Sequence, residues 1–126
     1  MIKIEYKAGK MNYNKETKKV NADPRAGKIV IERDDQNQKT FKWIDEATKK
    51  EEIILIVFRN DAKFSKVKKT NGGRIYLLSF LSFDDKYFFW LQEPDYTKDS
   101  EFVEKVNRVI NLQEDEPLDK EDPQEQ

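Results

Sequence analysis

The 126-residue chain contains no cysteine and no histidine. It therefore has no disulfide, no thiolate nucleophile, no imidazole base and no zinc site built from these residues. These absences exclude most hydrolase and transferase mechanisms and leave carboxylate chemistry as the main catalytic possibility. The lack of cysteine is also compatible with a reducing compartment.

Long apolar segments are lacking as well. The longest apolar run, from Ile53 to Phe58, is far shorter than the about 20 residues that a transmembrane helix needs. The amino terminus, from Met1 to Glu5, has no apolar core of the kind found in signal peptides. We therefore expect a soluble protein inside the cell, with no membrane partner.

Charge is spread unevenly along the chain. The net charge is −1, but residues 113–126 contribute −6, so residues 1–112 carry +5. The acidic segment has a single large apolar side chain, Leu118, and cannot bury enough surface to offset the entropy of ordering. We predict one domain over residues 1–112 and a disordered acidic tail over residues 113–126.

The body of the chain alternates short apolar runs with turn residues. A turn or bulge is predicted at Gly9 and a loop from Val20 to Gly27, while Ile53 to Phe58, apolar at both parities, predicts a central strand covered on both faces. A spacing of about 8 to 12 residues between strands favours an antiparallel sandwich or barrel. The predicted strands are 2–6, 28–32, 40–44, 53–58, 63–67, 74–80 and 86–91.

One amphipathic helix follows the strands. Asp99 or Ser100 can serve as its N-cap. Its apolar face is formed by Phe102, Val103, Val106, Val109 and Ile110. The predicted fold class is therefore mostly β with one C-terminal helix, a pleckstrin-homology-like antiparallel sandwich or barrel of about seven strands capped by that helix.

Charged side chains offer two candidate chemistries. The carboxylate pairs at residues 34–35, 51–52 and 84–85 lie in predicted hydrophilic turns, where solvation is their usual role, so we expect no catalytic residue, no metal and no cofactor. A second possibility is a phosphoinositide site built from basic residues. These residues lack interleaved aromatics, so we expect no nucleic-acid partner. They are Lys7, Lys10, Lys15, Lys18, Lys19, Lys66, Lys68, Lys69 and Arg74.

Aromatic residues at strand ends are the more informative feature. Phe58 precedes a polar segment that contains Asp61, and Phe80, Leu81 and Phe83 run into the next turn. Large apolar side chains at such positions either fold back onto the core or mark a binding surface. A loop aromatic beside a carboxylate suits a partner with an aliphatic patch in basic surroundings. The residue pattern leaves both possibilities open.

Three segments resemble a known family. They are residues 5–11 (EYKAGKM), 73–76 (GRIY) and 87–94 (YFFWLQEP). Together they are similar to the pleckstrin-like receptor for ubiquitin, a domain of a ubiquitin receptor on the proteasome regulatory particle. The resemblance covers about residues 2–112. It implies a non-catalytic protein associated with the proteasome in the cytoplasm and nucleus.

The resemblance implies that loops between strands bind ubiquitin. The matching positions are Phe58, Asp61 and Phe80, with Asn60 and Lys86 at the margin. Phe58 and Phe80 would pack on the aliphatic patch of ubiquitin, and Asp61 would accept hydrogen bonds beside it. Gln38 stands where the family usually has an apolar contact, which predicts weaker binding.

The resemblance also implies a second surface, which binds an extended C-terminal segment of a large scaffold subunit of the regulatory particle. Its matching positions are Met11, Val20, Val67, Ile75, Trp90 and Glu93. An adaptor that docks on the scaffold with little or no ubiquitin binding is therefore an alternative, beside the phosphoinositide module. We expect a monomer when free, without the helical domain that recruits a deubiquitinating enzyme in many relatives.

Overall fold

A computed structural model describes residues 2–67, 73–113 and 116–118 of the chain. A short 3-10 helix (Tyr96–Lys98) precedes the α-helix, α1 (Asp99–Asn111). In the described ranges, no helix is long and apolar enough to cross a membrane. The strands are β1 (Ile2–Asn14), β2 (Lys19–Ala22), β3 (Gly27–Arg33), β4 (Lys39–Asp45), β5 (Glu51–Ile56), β6 (Ala62–Lys66), β7 (Ile75–Phe80) and β8 (Tyr87–Leu91).

The strands form one antiparallel sheet in the order β5-β4-β3-β1-β8-β7-β6, and β2 pairs with the end of β1. Strand β1 is shared, since residues 2–7 pair with β3 and residues 8–11 pair with β8. The two halves of the sheet pack on each other through aromatic rings. Phe41 of one half lies 5.7 Å from Phe64 and 5.4 Å from Phe89 of the other, measured between ring centroids.

Helix α1 covers one end of this sandwich. Its buried residues include Phe102, Val106, Val109 and Ile110, as the apolar periodicity predicts. The predicted fold class, mostly β with a C-terminal helix in a pleckstrin-homology-like arrangement, is confirmed. The sheet remains open, with β5 and β6 at its two ends.

Two predictions for the first strands are wrong. Strand β1 runs unbroken through Gly9, so the predicted turn or bulge is not there. The glycine instead leaves room for the close approach of the Trp90 side chain. A Cβ atom at Gly9 would lie only 2.0 Å from Nε1 of Trp90. Strand β2 occupies part of the segment predicted as a loop, and it has four residues that are mostly exposed, so no apolar alternation marks it.

The prediction of a central strand at residues 53–58 is also wrong. Strand β5 is an edge strand, and Ile54 and Ile56 are 55% and 50% exposed. Ile53 and Leu55 of the same strand pack against the core. The continuous apolar run therefore does not mean that both faces of the strand are buried. In this edge strand, one set of alternate residues faces the core and the other set faces outward.

The start of α1 differs from the predicted cap. Asp99 is the first residue of the helix, and Lys98 occupies the N-cap position without a side-chain hydrogen bond. The buried carboxylate of Asp99 instead accepts hydrogen bonds from the Tyr6 hydroxyl at 2.5 Å and from Nε of Arg74 at 2.6 Å. The helix is thereby attached to β1 and to the residue before β7.

The end of α1 is held by a buried lysine that no feature of the residue pattern distinguishes from other lysines. Nζ of Lys39 donates to the carbonyl oxygens of Ile110, at 2.7 Å, and Leu112. A cation at this position complements the negative end of the helix dipole. Burial, together with Arg33 and Arg59, lowers the pKa of Lys39.

Part of the predicted acidic tail lies against the domain. Nη1 of Arg33 donates to the carbonyl oxygen of Glu116 at 2.5 Å, and Leu118 packs against the core. Of the tail, the structure describes only Gln113, Glu116, Pro117 and Leu118, and the other tail residues lie outside the described ranges. The residue pattern also predicts a turn at Asn71 and Gly72, and these two residues lie outside the described ranges as well. The boundary at residue 112 stays a prediction.

Candidate binding surfaces

The turn between β5 and β6 presents Phe58 to solvent. Val57 is buried, and its N–H donates to the carbonyl oxygen of Lys39 at 3.0 Å. The chain then reverses, since the N–H of Asp61 donates to the carbonyl oxygen of Phe58 at 3.2 Å and Asn60 takes a left-handed conformation with φ of 64°. Phe58 is 63% exposed at the tip.

Helix α1 fixes the same turn from behind. The N–H of Asn60 donates to Oδ1 of Asn111 at 3.0 Å. One helical turn earlier, the amide of Asn107 both accepts from the N–H of Phe64, at 2.9 Å, and donates to the carbonyl oxygen of Phe64, at 2.8 Å. The two asparagines thus tie the turn and edge strand β6 to the helix.

Asp61 joins the β5–β6 turn to the β7–β8 loop. Its Oδ1 accepts from the N–H groups of Leu81, at 3.2 Å, and Ser82, at 2.8 Å, and its Oδ2 accepts from Oγ of Ser82 at 2.9 Å. A carboxylate offers about four acceptor positions, so about one remains for a partner. The structure therefore gives Asp61 a role within the fold beside the predicted contact with ubiquitin.

Phe80 lies between the core and the surface. It is half-buried and packs against the core, and its ring stacks on Phe83 with centroids 4.3 Å apart. Tyr87 meets the same ring edge-on at 6.3 Å. Leu81, the next residue, is 85% exposed. The resemblance did not assign Leu81 or Phe83, although their apolar character next to a turn is a visible signal.

The remaining predicted ubiquitin-binding residues flank these loops. Gln38 is exposed in the β3–β4 turn and lines a cleft of about 610 Å³ together with Phe58, Lys39 and Leu112. Lys86 is exposed at the end of the β7–β8 loop. We use the term loop surface for Phe58, Asp61, Phe80, Leu81 and Phe83.

The second predicted set lies mainly on the outer side of the other half of the sheet. Directly opposed residues of antiparallel strands project to the same side. Trp90 is opposite both Gly9 and Ile75, and Val67 follows β6 with its N–H donating to the carbonyl oxygen of Ile75 at 2.9 Å. All the apolar members are half-buried.

The register adds residues to this second set. Phe88 is opposite Met11 and Leu77, and Tyr13 is opposite Val20. The resemblance did not assign Phe88, Leu77 or Tyr13, although alternation along β7 and β8 could have indicated two of them. We use the term sheet face for Met11, Tyr13, Val20, Val67, Ile75, Leu77, Phe88 and Trp90.

Glu93 and the Trp90 indole lie at one end of the sheet face. Oε2 of Glu93 accepts from the N–H of Lys7 at 3.0 Å, which extends the pairing of β1 beyond the end of β8. Nε1 of Trp90 is buried and has no hydrogen-bond partner within the described part of the chain. The indole N–H therefore lies inside the fold, next to Gly9, and does not face a partner.

The basic residues considered for phosphoinositide binding carry counter-charges in several cases. Nζ of Lys10 lies 3.5 Å from the carboxylate of Asp23, and Lys15 pairs with Asp85. Arg74 is held by Asp99, as described above. Lys68 and Lys69 lie outside the described ranges. This arrangement reduces the charge available to an anionic ligand.

Acidic side chains also have structural partners. Glu51 and Glu52 begin β5, so the turn predicted for this pair is wrong. The Arg25 guanidinium lies within hydrogen-bond distance of Asp23, Asp45 and Glu52, at 2.9, 2.8 and 2.5 Å. Hydrogen bonds from Arg25 lower the pKa of Asp23 and of Glu52. Over residues 2–67, 73–113 and 116–118, no cluster of three potential metal ligands occurs.

Comparison with known proteins gives a consistent set of relatives. A family model described as "Proteasome complex subunit Rpn13, Pru domain" matches residues 3–103. The chain is 37% identical over 108 residues to the proteasomal ubiquitin receptors ADRM1 of Xenopus tropicalis and Danio rerio. It is 36% identical to that of Homo sapiens. Each match covers 86% of this chain and 26% of the relative, so the chain spans about a quarter of their length.

Proposed function

Because the chain belongs to the Pru-domain family of the proteasome subunit Rpn13, we propose that it is a non-catalytic ubiquitin receptor of the proteasome. The observation that carries this proposal is Phe58, a large aromatic side chain 63% exposed on a turn that is fixed to helix α1. The names of the curated relatives support it. The protein would act in the cytoplasm and nucleus, where it would be bound to the proteasome.

On this proposal, Phe58 and the exposed side of Phe80 pack against the aliphatic patch of ubiquitin. Burying an aromatic side chain contributes about 1.5–3 kcal/mol, and two anchors at the centre of an interface are enough for a hot spot. Asn60 and Lys86 lie at the margin, and Gln38 forms a polar rim beside Phe58. The free acceptor position of Asp61 takes a hydrogen bond from ubiquitin.

We propose that the sheet face docks the extended C-terminal segment of a scaffold subunit. Trp90 offers a broad, half-buried apolar ring, which suits a chain with apolar side chains. Met11, Val20, Val67 and Ile75 extend this surface, and Glu93 bounds it. The two surfaces have no residue in common, and Ile75 and Phe80 lie at opposite ends of β7, so we expect that both partners can bind at once.

Titration of ubiquitin into the ¹⁵N-labelled chain tests the first part of the proposal. We expect amide shifts at residues 37–39, 57–62 and 80–87, with the sheet face unchanged. No shifts at millimolar ubiquitin would refute it.

A peptide from the scaffold tail should instead shift the amide signals of residues in β1, β7 and β8. Trp90→Ala should weaken this binding in a chain whose circular dichroism is unchanged.

One observation favours a second candidate, a docking adaptor with weak or no ubiquitin binding. Gln38 places a polar, exposed side chain in the cleft beside Phe58, where the family resemblance implies an apolar contact. The same two titrations separate the candidates, since the adaptor would bind the scaffold peptide alone. A phosphoinositide module would instead bind anionic vesicles in a salt-sensitive way.

A further inference from the structure

We propose that Leu81 is an additional anchor for the aliphatic patch of ubiquitin, and that Asp61 is the positioning residue that holds Leu81 in place. This inference rests on the proposed function, because it adds a contact residue to the same loop surface. It also assigns the carboxylate of Asp61 a task within the free protein.

The exposure of Leu81 is the first reason. At 85%, Leu81 is the most exposed large apolar side chain among the described residues. At that position Leu81 contributes almost nothing to the stability of the fold, since its apolar area stays in water. Phe80, at the end of β7, and Phe83, in the loop, stack on each other and line a depression together with Leu81. A partner that covers Phe80 would therefore also cover Leu81.

The rigidity of the loop is the second reason. Four hydrogen bonds connect Leu81 and Ser82 to Asp61. Besides the three to the carboxylate, the N–H of Leu81 is shared with the backbone carbonyl oxygen of Asp61 at 3.0 Å. A contact residue that is fixed before binding loses little conformational freedom on association. An exposed leucine held in this way is a preorganised anchor.

Charge around Leu81 indicates the chemistry of the partner. Asp61 keeps about one free acceptor position, and Asp84 is exposed in the same loop. Leu81, Phe83 and Asp84 line a shallow depression of about 420 Å³, together with Asp85 and Lys86. An apolar centre flanked by the carboxylates of Asp61 and Asp84 complements an aliphatic patch with basic groups beside it.

The position of Leu81 relative to Gln38 gives the anchor a further role. Gln38 lies in the β3–β4 turn and leaves the Phe58 cleft with a polar wall. Leu81 lies in the β7–β8 loop, across Asp61 from the Phe58 turn. The apolar contact that is missing at residue 38 is thus replaced by one in a different loop, and the centre of the interface moves toward Phe80.

Ubiquitin titrations of four chains test the anchor: wild type, Leu81→Ser, Phe58→Ala and the control Tyr96→Ser. Tyr96 is 68% exposed and lies before α1, about 20 Å from the loop surface by the length of that helix. We expect Leu81→Ser to raise Kd about tenfold, with an unchanged thermal midpoint, and Tyr96→Ser to bind as wild type does. Leu81→Gln, of similar volume, is a second variant should the serine variant be destabilised.

The outcomes distinguish this inference from the proposed function. Wild-type affinity in both Leu81 variants, with binding lost in Phe58→Ala, overturns the anchor and leaves the proposed function intact. Failure of the wild-type chain to bind ubiquitin overturns both.

A double-mutant cycle tests the positioning role of Asp61. If Asp61 acts through Leu81, Asp61→Ala and Leu81→Ser combined should weaken binding no more than the stronger single variant, within about twofold. Amide exchange at Leu81 and Ser82 should also accelerate in free Asp61→Ala. Additive losses together with unchanged exchange would overturn the positioning role.

Discussion

On the loop surface, Phe58 and Leu81 extend into solvent from the tips of turns, whereas on the sheet face Trp90, Ile75 and Met11 are each half-buried among their strand neighbours. Phe58 and Leu81 contribute little to folding, because most of their area stays in water. The sheet side chains contribute to both folding and binding. Substitutions in the two regions should therefore have different effects on stability.

The two regions are also fastened by different interactions. Hydrogen bonds from backbone N–H groups to Asp61 and Asn111 hold the loop surface. Strand register holds the sheet face, and an ionic cluster fixes the end of β2. There Asp23 accepts from Arg25, while its own N–H donates to the carbonyl oxygen of Lys10 at 3.0 Å. Acid should therefore weaken the region around β2.

The largest expected effect is that of Phe58→Arg. Loss of a central aromatic anchor and the addition of a cation facing a basic rim should weaken ubiquitin binding by at least about 100-fold. Since Phe58 is mostly exposed, the thermal midpoint and the affinity for the scaffold peptide should stay unchanged. Calorimetry with each partner measures both affinities, and Tyr96→Arg is the matched control. Equal loss of both affinities would show that the two regions are not separate.

Gly9→Ala should have the opposite selectivity. The added Cβ would lie within 2.0 to 2.8 Å of three atoms of the Trp90 indole, so the ring must move. We expect the scaffold peptide to bind about tenfold more weakly, with the midpoint lowered by a few degrees and ubiquitin affinity retained. The Trp90 indole N–H resonance reports the movement. Asn12→Ala, an exposed site on the same strand, is the control, and an unshifted resonance would contradict the prediction.

The sequence predicted those parts of the fold that depend on local periodicity. Alternation predicted β4, and the helical period predicted α1, because each pattern reflects a single face packed on the core. The match to the Pru-domain family confirmed the resemblance. Strand β5 was misassigned because apolar residues at both parities do not reveal whether a second neighbouring strand exists. The position of β5 at the edge follows only from the order of the whole sheet.

The missed features of the candidate sites depend on contacts between distant positions. Asp61 accepts a hydrogen bond from Ser82, which lies 21 positions later in the chain. Lys39 donates to the carbonyl oxygens of Ile110 and Leu112, which lie 71 and 73 positions later. Before folding, neither side chain differs from any other surface aspartate or lysine. The resemblance predicted Asp61 as a contact residue, but its role in holding the loop became visible only in the folded chain.

A smaller effect is expected from acid and Arg25→Gln. In the folded chain, hydrogen bonds from Arg25 lower the pKa of Asp23 and of Glu52 below the usual carboxyl value, which is about 4. The unfolded chain therefore binds more protons as the pH falls through about 4, and the stabilisation present at neutral pH is lost.

Arg25→Gln should thus be less stable than wild type at pH 7 and should lose less stability on acidification. Denaturant unfolding between neutral pH and about pH 2.5 measures both slopes. Lys49→Gln is the control, because it removes the same charge from the exposed pair with Glu46. Parallel slopes in wild type and Arg25→Gln would contradict an ionic attachment of β2.

The smallest effect is expected at the contact between the two regions. Lys15, in the β1–β2 turn, pairs with Asp85 in the β7–β8 loop. Asp85 raises the pKa of Lys15, but both side chains are exposed, and salt screens such pairs. Lys15→Ala should therefore change the affinities for ubiquitin and for the scaffold peptide by less than about twofold, with Lys18→Ala as the control.

A larger change in ubiquitin affinity once the peptide is bound would mean that this pair couples the two surfaces. Measuring each affinity with the other partner present distinguishes independent binding from coupling, because any coupling must appear equally in both titrations.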